Sequence, residues 1–298
     1  MLQNINQSSK MIVVIAGPTA SGKSFFACEF AEKHNGIIIN ADSVQVYKDL
    51  EILSSRPPEE ALKKVPHKLY GFLEAHDTCS AGLWRSRVLK EIQECYHQKK
   101  LPVIVGGTGL YLKILIEGLS PIPSVDENIR KLARARAQNE GSEILYNELS
   151  ELDPIIAMRL KPGDCQRIVR AWEVVKSTGI PLSEWQRKSS ISLAEREKVF
   201  TNILLLPQRE ELLLRADKRL ENMLKNGVLK EVATLLEKNI EKNATIYKAI
   251  GLREFAAYLK GEISLDEAVA KAKISTHQYI KKQYTWFKNQ FQADIILG

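Results

Sequence analysis

The sequence contains few of the residues that build metal sites and disulfide frameworks. There are four cysteines and five histidines among 298 residues. No two cysteines form a C-x-x-C pair, and no histidines have the spacing of metal ligands. Because zinc sites and disulfide frameworks need ligands or pairs at characteristic spacings, the sequence favours neither. The cysteines are expected to be reduced and mostly buried.

Long apolar runs are also absent. The longest fall far short of the ~20 residues that cross a bilayer. Residues 1–10 are polar and lack the apolar core of a secretion signal. We therefore expect a cytoplasmic protein that does not contact membranes. Since 44% of the residues are hydrophobic, the chain can bury a full core, which excludes a disordered protein.

The charge balance is moderately basic, with 43 basic against 36 acidic residues and a formal net charge of +7. Such an excess favours a polyanionic partner. It is concentrated in three predicted helical segments, 129–138, 159–170 and 268–293. Aromatic residues lie in or near these segments: Trp172, Tyr279, Trp286 and Phe287. Basic and aromatic residues together suit nucleic acid, whereas the alternative is a set of solvated helix faces with aromatics in the core.

One stretch predicts a phosphate site. The residues G-P-T-A-S-G-K-S follow the apolar run 11–16 and precede a helical pattern, the order expected of a P-loop. The glycines let consecutive N–H groups face inward, and the helix adds its positive end. The sequence predicts that a di- or triphosphate binds here with Mg²⁺ ligated by Ser24. The predicted diphosphate-binding residues are Gly17, Pro18, Thr19, Ala20, Ser21, Gly22, Lys23 and Ser24.

Two further apolar runs end in polar residues. The run 36–40 leads to Asp42, and the run 101–105 leads to Thr108. Runs of this kind are typical of buried parallel strands, whose carboxyl ends meet at one edge of a sheet. A P-loop usually indicates an ATP-binding or other nucleotide-binding enzyme with a second strand-end acid for Mg²⁺. Asp42 is the only acid at such an end, which weakens that interpretation.

The sequence pattern changes after Leu119. Residues 120–124 contain two prolines and predict a linker, and no strand-like run follows until 199–206. We predict an α/β fold with a P-loop NTPase-like core, in which helices flank a parallel sheet, and an all-helical insertion domain. The predicted core consists of 1–118 and 200–298, and the insertion of 119–199.

Motifs spread along the chain resemble those of the tRNA dimethylallyltransferase (tRNA isopentenyltransferase) family. Besides the P-loop they are Asp42-Ser43-x-Gln45-x-Tyr47, Pro66-His67-x-Leu69, Gly106-Gly107-Thr108-Gly109-Leu110-Tyr111, Asp164-x-Gln166-Arg167-x-x-Arg170-Ala171, Thr178-Gly179 and Ile250-Gly251-x-Arg253-Glu254. The resemblance covers nearly the whole chain. The departures are Leu53-Ser54-Ser55-Arg56-Pro57 for Gly-Thr-Ala-Lys-Pro, Leu83-Trp84 for Asp-Phe, and His277 and Lys282 where arginines are common.

The resemblance implies transfer of a dimethylallyl group from dimethylallyl diphosphate to N6 of adenosine 37 in tRNA, with release of pyrophosphate. It implies Mg²⁺ as cofactor, a monomer, and no partner protein. Asp42 would be the catalytic base, and Thr108 would position the reacting groups. Arg219 would stabilise the leaving group, with Arg215 as its local competitor.

The resemblance also implies that the insertion binds the tRNA anticodon arm. The residues that it assigns to tRNA contacts are Asp42, Ser43, Val44, Gln45, Thr108, Arg130, Gln166, Arg167, Ile168, Val169 and Arg170. Gln45 is suited to read a base edge. Three alternatives stay open: a small-molecule P-loop kinase, a prenyltransferase acting on free adenine nucleotides, and an RNA-binding protein whose P-loop senses nucleotide.

Overall fold

The computed structural model describes residues 11–187, 200–241 and 244–298. The chain divides into two compact units, one made of Met1–Ile116 and Glu197–Gly298 and the other of Glu117–Arg196. The domain edges predicted from the sequence lie a few residues later. Within the described ranges, no helix has the length and apolar character needed to cross a membrane.

The first unit is built on a parallel sheet. Its strands in the described ranges are β1 (Ile12–Ala16), β2 (Gly36–Asn40), β3 (His67–Lys68), β4 (Leu101–Gly106), β5 (Phe200–Leu205) and β6 (Ile295–Leu297). They are ordered β3-β2-β4-β1-β5-β6, and all neighbours are parallel. Every residue of β1 and β2 is buried, as their continuous apolar runs require. The predicted α/β fold class is confirmed, although the predicted start of β5 at 199 lies outside the described residues.

Helices cover the sheet and form the second unit. The first four are α1 (Lys23–Lys33), α2 (Glu59–Lys64), α3 (Ala81–His97) and α4 (Gly109–Ile116). The second unit contains α5 (Glu127–Asn139), α6 (Ser142–Leu152), α7 (Pro154–Ala157), α8 (Cys165–Thr178) and α9 (Leu182–Arg187). The chain then returns through α10 (Arg209–Lys225), α11 (Val228–Leu236), a 3₁₀ turn (Thr245–Lys248), α12 (Leu252–Leu259) and α13 (Leu265–Gln290).

The second unit is helical throughout its described residues and has its own core. Leu145, Leu149 and Ile168 pack with Trp172, which is only 3% exposed. The Trp172 Nε1–H donates to a Glu148 oxygen at 2.7 Å. The sequence left two interpretations open for Trp172, and for Phe287 in the first unit, and their burial favours the one in which these aromatics are core residues.

The carboxyl ends of β2, β4 and β1 meet because these strands are neighbours in the sheet. Asn40 pairs with Val105, and Ala16 pairs with Gly106, so the segments that follow start at the same level. A Cβ on Gly106 would lie 2.2 Å from the carbonyl oxygen of Ala41. Only glycine permits this approach, which brings the segment after β2 against the segment after β4.

Trp84, on α3, forms a hydrogen bond with the last residue of β2. Its Nε1–H donates to the main-chain oxygen of Asn40 at 2.8 Å, and its ring stacks on Tyr111 at 4.4 Å between centroids. Trp84 is fully buried, so this donor satisfies a carbonyl that water cannot reach. The indole therefore connects α3 to the strand end that carries Asp42.

We predict that Trp84→Phe lowers the free energy of unfolding by about 1–3 kcal/mol, because the buried Asn40 carbonyl loses its partner. Urea denaturation followed by circular dichroism measures the change. Trp286→Phe is the matched control, since the Trp286 indole N–H makes no hydrogen bond among the described residues. An equal loss in both variants would contradict this explanation.

Candidate active site

The P-loop joins β1 to α1 through backbone conformations that few residues adopt. Gly22 precedes the helix with φ 84°, in the left-handed region, and Ala20 has φ 66°. A Cβ on Gly17 would lie 2.5 Å from the Leu205 carbonyl oxygen, so glycine is needed there. Ser21 is buried, and its hydroxyl has no hydrogen-bond partner among the described residues. The loop thus forms a cradle for an anion at the start of a helix.

Lys23 is the first residue of α1, and its amine lies inside this cradle. The Nζ donates to the Pro18 carbonyl oxygen at 3.1 Å. Burial lowers the pKa of Lys23 to about 8, while the Asp42 carboxylate opposes that shift and Arg219 adds to it. The three charged groups therefore lie within electrostatic range of one another. A bound diphosphate would raise the pKa of Lys23 again and so favour its charged form.

Arg219, on α10, is the more buried of the two arginines that line the site. Burial lowers its pKa and the Asp42 carboxylate raises it, yet an arginine stays cationic at any physiological pH. Arg215 lies one turn earlier, and its side chain pairs with Glu211 and is 47% exposed. Arg215 lies at the rim, with its Nη1 3.9 Å from where a Gly22 Cβ would be.

Asp42 is held in place through only one of its two carboxylate oxygens. Its Oδ1 accepts hydrogen bonds from Val44 N at 2.9 Å and Gln45 N at 3.4 Å. Its own N–H donates to the Asn40 side chain, whose amide donates in turn to the main-chain oxygens of Asp42 and Leu69. Asp42 Oδ2 accepts no hydrogen bond from any described residue. The carboxylate is therefore oriented and still has one oxygen available for a proton.

Thr108 lies two residues after the end of β4 and forms hydrogen bonds with the segment that follows β2. Its Oγ1 accepts from Ser43 N at 3.0 Å and donates to Ser43 Oγ at 3.3 Å. Its main-chain N–H donates to Ala41 O at 3.3 Å. Thr108 thus positions the residues on both sides of Asp42, as well as presenting its own hydroxyl beside them.

Gln45 presents only an acceptor to the site. Both hydrogens of its amide are used, because Nε2 donates to Ser54 O at 3.0 Å and to Ser55 O at 2.9 Å. An amide oxygen cannot face two carbonyl oxygens, so this orientation is set by chemistry. Its Oε1 can accept from an amine but has nothing to donate to a keto oxygen. If Gln45 reads a base edge, as the sequence predicts, its side chain can recognise only a hydrogen-bond donor on that base.

Gln283, on α13, is a site residue that the sequence did not reveal. It is 6% exposed; its Nε2 donates to Gly107 O at 2.9 Å, and its Oε1 accepts from Thr19 N at 2.8 Å. One amide therefore ties the P-loop to the segment that carries Thr108. In the sequence Gln283 is a single polar residue in a basic helix, and its partners lie 264 and 176 positions away.

A cavity of about 600 Å³ lies within the first unit, and Lys23, Ser24, Asp42 and Arg219 line its polar part. Tyr279 also lines it, and burial and the Asp42 carboxylate both raise the pKa of that phenol, which stays neutral. Aliphatic side chains form much of the remaining wall, which also includes Arg215 and Lys248. The cavity therefore offers an anion site, a carboxylate and an apolar space in one enclosure.

Ser24 is the P-loop residue whose hydroxyl could hold a cation together with the phosphate groups of a ligand. Among the described residues, no three His, Cys, Asp or Glu side chains converge in a way that could hold a metal ion. Mg²⁺ commonly binds through one or two protein ligands and substrate phosphates rather than through an all-protein cage. The Ser24 hydroxyl at the exposed start of α1 fits that mode.

The remaining six predicted contacts lie in the second unit, where three of them are exposed. Gln166, Arg167 and Arg170 are exposed on α8, and Arg130 pairs with Glu127 at 2.8 Å. Ile168 is fully buried in the core of this unit and Val169 packs against it, so the side chain of Ile168 is turned away from solvent.

The fold and the site define a P-loop protein in which a carboxylate is held beside the loop. A family model described as IPP transferase matches residues 45–290. The chain is 45% identical over 285 residues to the tRNA dimethylallyltransferase of Chelativorans sp. strain BNC1, covering 96% of this chain and 97% of that protein. The chain belongs to the IPP transferase family, which confirms the resemblance seen in its motifs.

Solved structures agree with this assignment. A eukaryotic dimethylallyltransferase acting on tRNA is 29% identical and superposes with a TM-score of 0.84, covering 97% of this chain and 73% of its own. The tRNA isopentenylpyrophosphate transferase of Bacillus halodurans is 28% identical, with a TM-score of 0.66 and coverages of 97% and 89%.

The pKa of Lys23 predicts how donor binding depends on pH. Since the protonated amine attracts the diphosphate, affinity for dimethylallyl diphosphate is expected to fall as pH rises above about 8, by up to about tenfold per pH unit, and to stay level just below it. Calorimetric titration between pH 6.5 and 9.5 measures this. Lys23→Arg keeps its charge and should lack the decline; the same decline in both proteins would contradict the assignment to Lys23.

Gln283→Ala removes the link between the P-loop and the segment after β4. We expect kcat/KM for dimethylallyl diphosphate to fall roughly tenfold to a hundredfold, because small displacements of reacting groups are costly. Gln278→Ala, on the exposed face of the same helix, is the matched control and should change little. Urea denaturation midpoints of both variants show whether either substitution unfolds the protein. A fall in kcat/KM for Gln283→Ala no larger than for Gln278→Ala would show that the Gln283 hydrogen bonds do not position the site.

Proposed function

We propose that this protein transfers the dimethylallyl group of dimethylallyl diphosphate to N6 of adenosine 37 in tRNA and releases pyrophosphate. The observation that carries the proposal is the single uncommitted oxygen of Asp42, held within electrostatic range of Lys23 and Arg219 in a cavity that is otherwise largely aliphatic. A kinase site needs no such apolar space, whereas a prenyl donor does.

The P-loop is proposed to hold the diphosphate. Its inward N–H groups and the start of α1 meet the phosphate oxygens, while Lys23 leaves the Pro18 carbonyl to bind them. As the allylic C–O bond breaks, negative charge gathers on the pyrophosphate, and Lys23 and Arg219 stabilise it. Mg²⁺, when bound at Ser24, supplies further neutralisation of that charge.

Asp42 is proposed to act as the base. Adenine N6 is a weak nucleophile because its lone pair is delocalised into the ring, so loss of a proton must accompany attack. Asp42 Oδ2 can take one N6 hydrogen, while Gln45 Oε1 accepts the other. Thr108 accepts a hydrogen bond from the Ser43 backbone and so helps to fix the position of the adjacent Asp42 beside the P-loop. An acceptor pair of this kind selects an exocyclic amine and disfavours a keto group.

The tRNA is proposed to contact both units. Arg130, Gln166, Arg167 and Arg170 present charge and amides on the second unit, and exposed ion pairs such as Arg167–Asp164 are weak enough to be exchanged for phosphate contacts. Adenosine 37 must leave the anticodon loop to reach Asp42, a step that costs less in a loop than in a duplex. A tRNA substrate is consistent with the cytoplasmic location expected from the sequence.

The deciding experiment supplies the protein with Mg²⁺, dimethylallyl diphosphate and unmodified tRNA bearing A37, followed by mass spectrometry of the digested nucleosides. A five-carbon addition on adenosine 37 supports the proposal. ATP hydrolysis without prenylation would favour the kinase. Prenylation of free adenine nucleotides in place of tRNA would favour the second alternative.

Asp42→Asn is expected to lower turnover by ~10²-fold or more while tRNA binding is largely kept, because the variant loses the proton acceptor but not the fold of the turn. Single-turnover assays and filter binding measure the two quantities. Asp266→Asn, exposed on the first turn of α13, is the control and should retain turnover. Full activity in Asp42→Asn would leave the protein as an RNA binder whose P-loop only senses nucleotide.

A further inference from the structure

We propose that Met223, together with Leu220 and Ala272, closes the apolar end of the cavity and limits the donor to a single five-carbon unit. This inference rests on the proposed function and names the class of allylic diphosphate that the site selects. It concerns the wall opposite the P-loop, to which neither the motifs nor the comparisons assign a role.

Two helices define the direction of the cavity. On α13, Gln283 bonds to the P-loop, while Thr276 and Ala272 line the cavity two and three turns before it. On α10, Arg219 lies within electrostatic range of Lys23, while Met223 lines the cavity one turn later. Ala272 on α13 and Met223 on α10 therefore both mark the end of the cavity that lies away from the P-loop.

The distance along α10 matches one isoprene unit. Met223 follows Arg219 by four residues, which is about 6 Å along the helix axis. An extended dimethylallyl group has a comparable length. With the diphosphate held at Lys23 and Arg219, the methyl groups of the donor would arrive at the Met223 side chain.

The chemistry of this end suits a hydrocarbon better than a base. Leu53, Leu220, Met223, Ala249 and Ala272 line it, and all five belong to one buried aliphatic cluster. Buried ring nitrogens without partners are costly, and an adenine placed here would have several.

Two hydroxyl groups near this end are already hydrogen-bonded within the protein, and the other polar side chains that line the cavity beside them are those of Ser55 and Lys248. Ser54 Oγ donates to Leu50 O, and Thr276 Oγ1 donates to Ala272 O at 2.8 Å. Both hydroxyl hydrogens are therefore used within the protein. A dimethylallyl group needs no hydrogen bonds and leaves no polar group unpaired.

Close packing around this wall opposes a longer chain. Leu220 and Met223 are each 7% exposed, and Ala272 is fully buried. The same buried cluster contains Val228, Val232 and Leu235, none of which lines the cavity. Because interiors of this kind are packed to the density of organic crystals, a second isoprene unit would have to displace core side chains.

A direct test uses the wild-type protein. The chain has four methionines, so labelling their methyl groups with ¹³C gives few NMR signals, and the volume-conserving Met223→Leu assigns the one of interest. We expect dimethylallyl diphosphate with Mg²⁺, without tRNA, to shift the Met223 signal, and inorganic pyrophosphate to shift it much less. Met158, 81% exposed, is the internal control and should not move.

The outcomes separate this inference from the proposed function. If calorimetry shows that dimethylallyl diphosphate binds and the Met223 signal does not respond, the chain-length role is wrong while the proposed function stands. If the donor does not bind at all, the proposed function itself fails.

Substitution supplies the second test. Met223→Ala should raise the ratio of kcat/KM for geranyl diphosphate to that for dimethylallyl diphosphate by roughly tenfold or more, since methylene-sized changes in apolar pockets alter selectivity on this scale. Leu235→Ala removes a comparable volume from the same cluster away from the cavity. Its ratio should stay at the wild-type value. An unchanged ratio in Met223→Ala, or an equal rise in Leu235→Ala, would overturn the proposal.

Discussion

The site depends on how closely the ends of β2 and β4 approach each other. The carbonyl of Ala41 lies where a side chain on Gly106 would be, so the two segments that follow are in contact from their first residues. Thr108 can then bond to Ser43, and Asn40 can hold the turn at Asp42. Were the strand ends further apart, the carboxylate would need water or long side chains to orient it, and its position beside the P-loop would not be defined.

The second constraint is the mutual influence of three charges in a poorly solvated space. Burial weakens the charged form of Lys23, and Arg219 weakens it further, whereas Asp42 favours it. Without a ligand, two cations and one carboxylate leave an excess of positive charge in this space. A bound diphosphate would compensate that excess. Its binding would therefore relieve the electrostatic repulsion between the two cations. The same excess is available again when pyrophosphate leaves with more negative charge than it carried as an ester.

The sequence predicted the parts of the fold that local pattern controls. Three apolar runs followed by glycines or polar residues are enough to predict β1, β2 and β4 and to place Lys23, Asp42 and Thr108 at one edge. The motifs then led to the family. Gln283 was missed because its function comes from two partners far away in the chain, and a buried glutamine looks like an exposed one in sequence. For Trp172 and Phe287 the sequence could not decide between a core and a nucleic-acid contact, since an aromatic in a basic helix has the same local pattern in both cases, and only their burial decides it.

The cavity explains why a P-loop can serve a reaction without phosphoryl transfer. A kinase brings its acceptor to the terminal phosphate and needs acids that hold metal around that phosphorus. Here the strand end after β4 carries Thr108 and glycines, and Asp42 is the only acid among the described residues that line the cavity. Asn40 holds the Asp42 backbone, and one carboxylate oxygen of Asp42 stays available for the proposed proton transfer. The space beyond the phosphate site is bounded by Leu220, Met223 and Ala272, which are complementary to carbon and not to a sugar or base. The proposed attack at carbon rather than at phosphorus fits the distribution of polar and apolar side chains in the cavity wall.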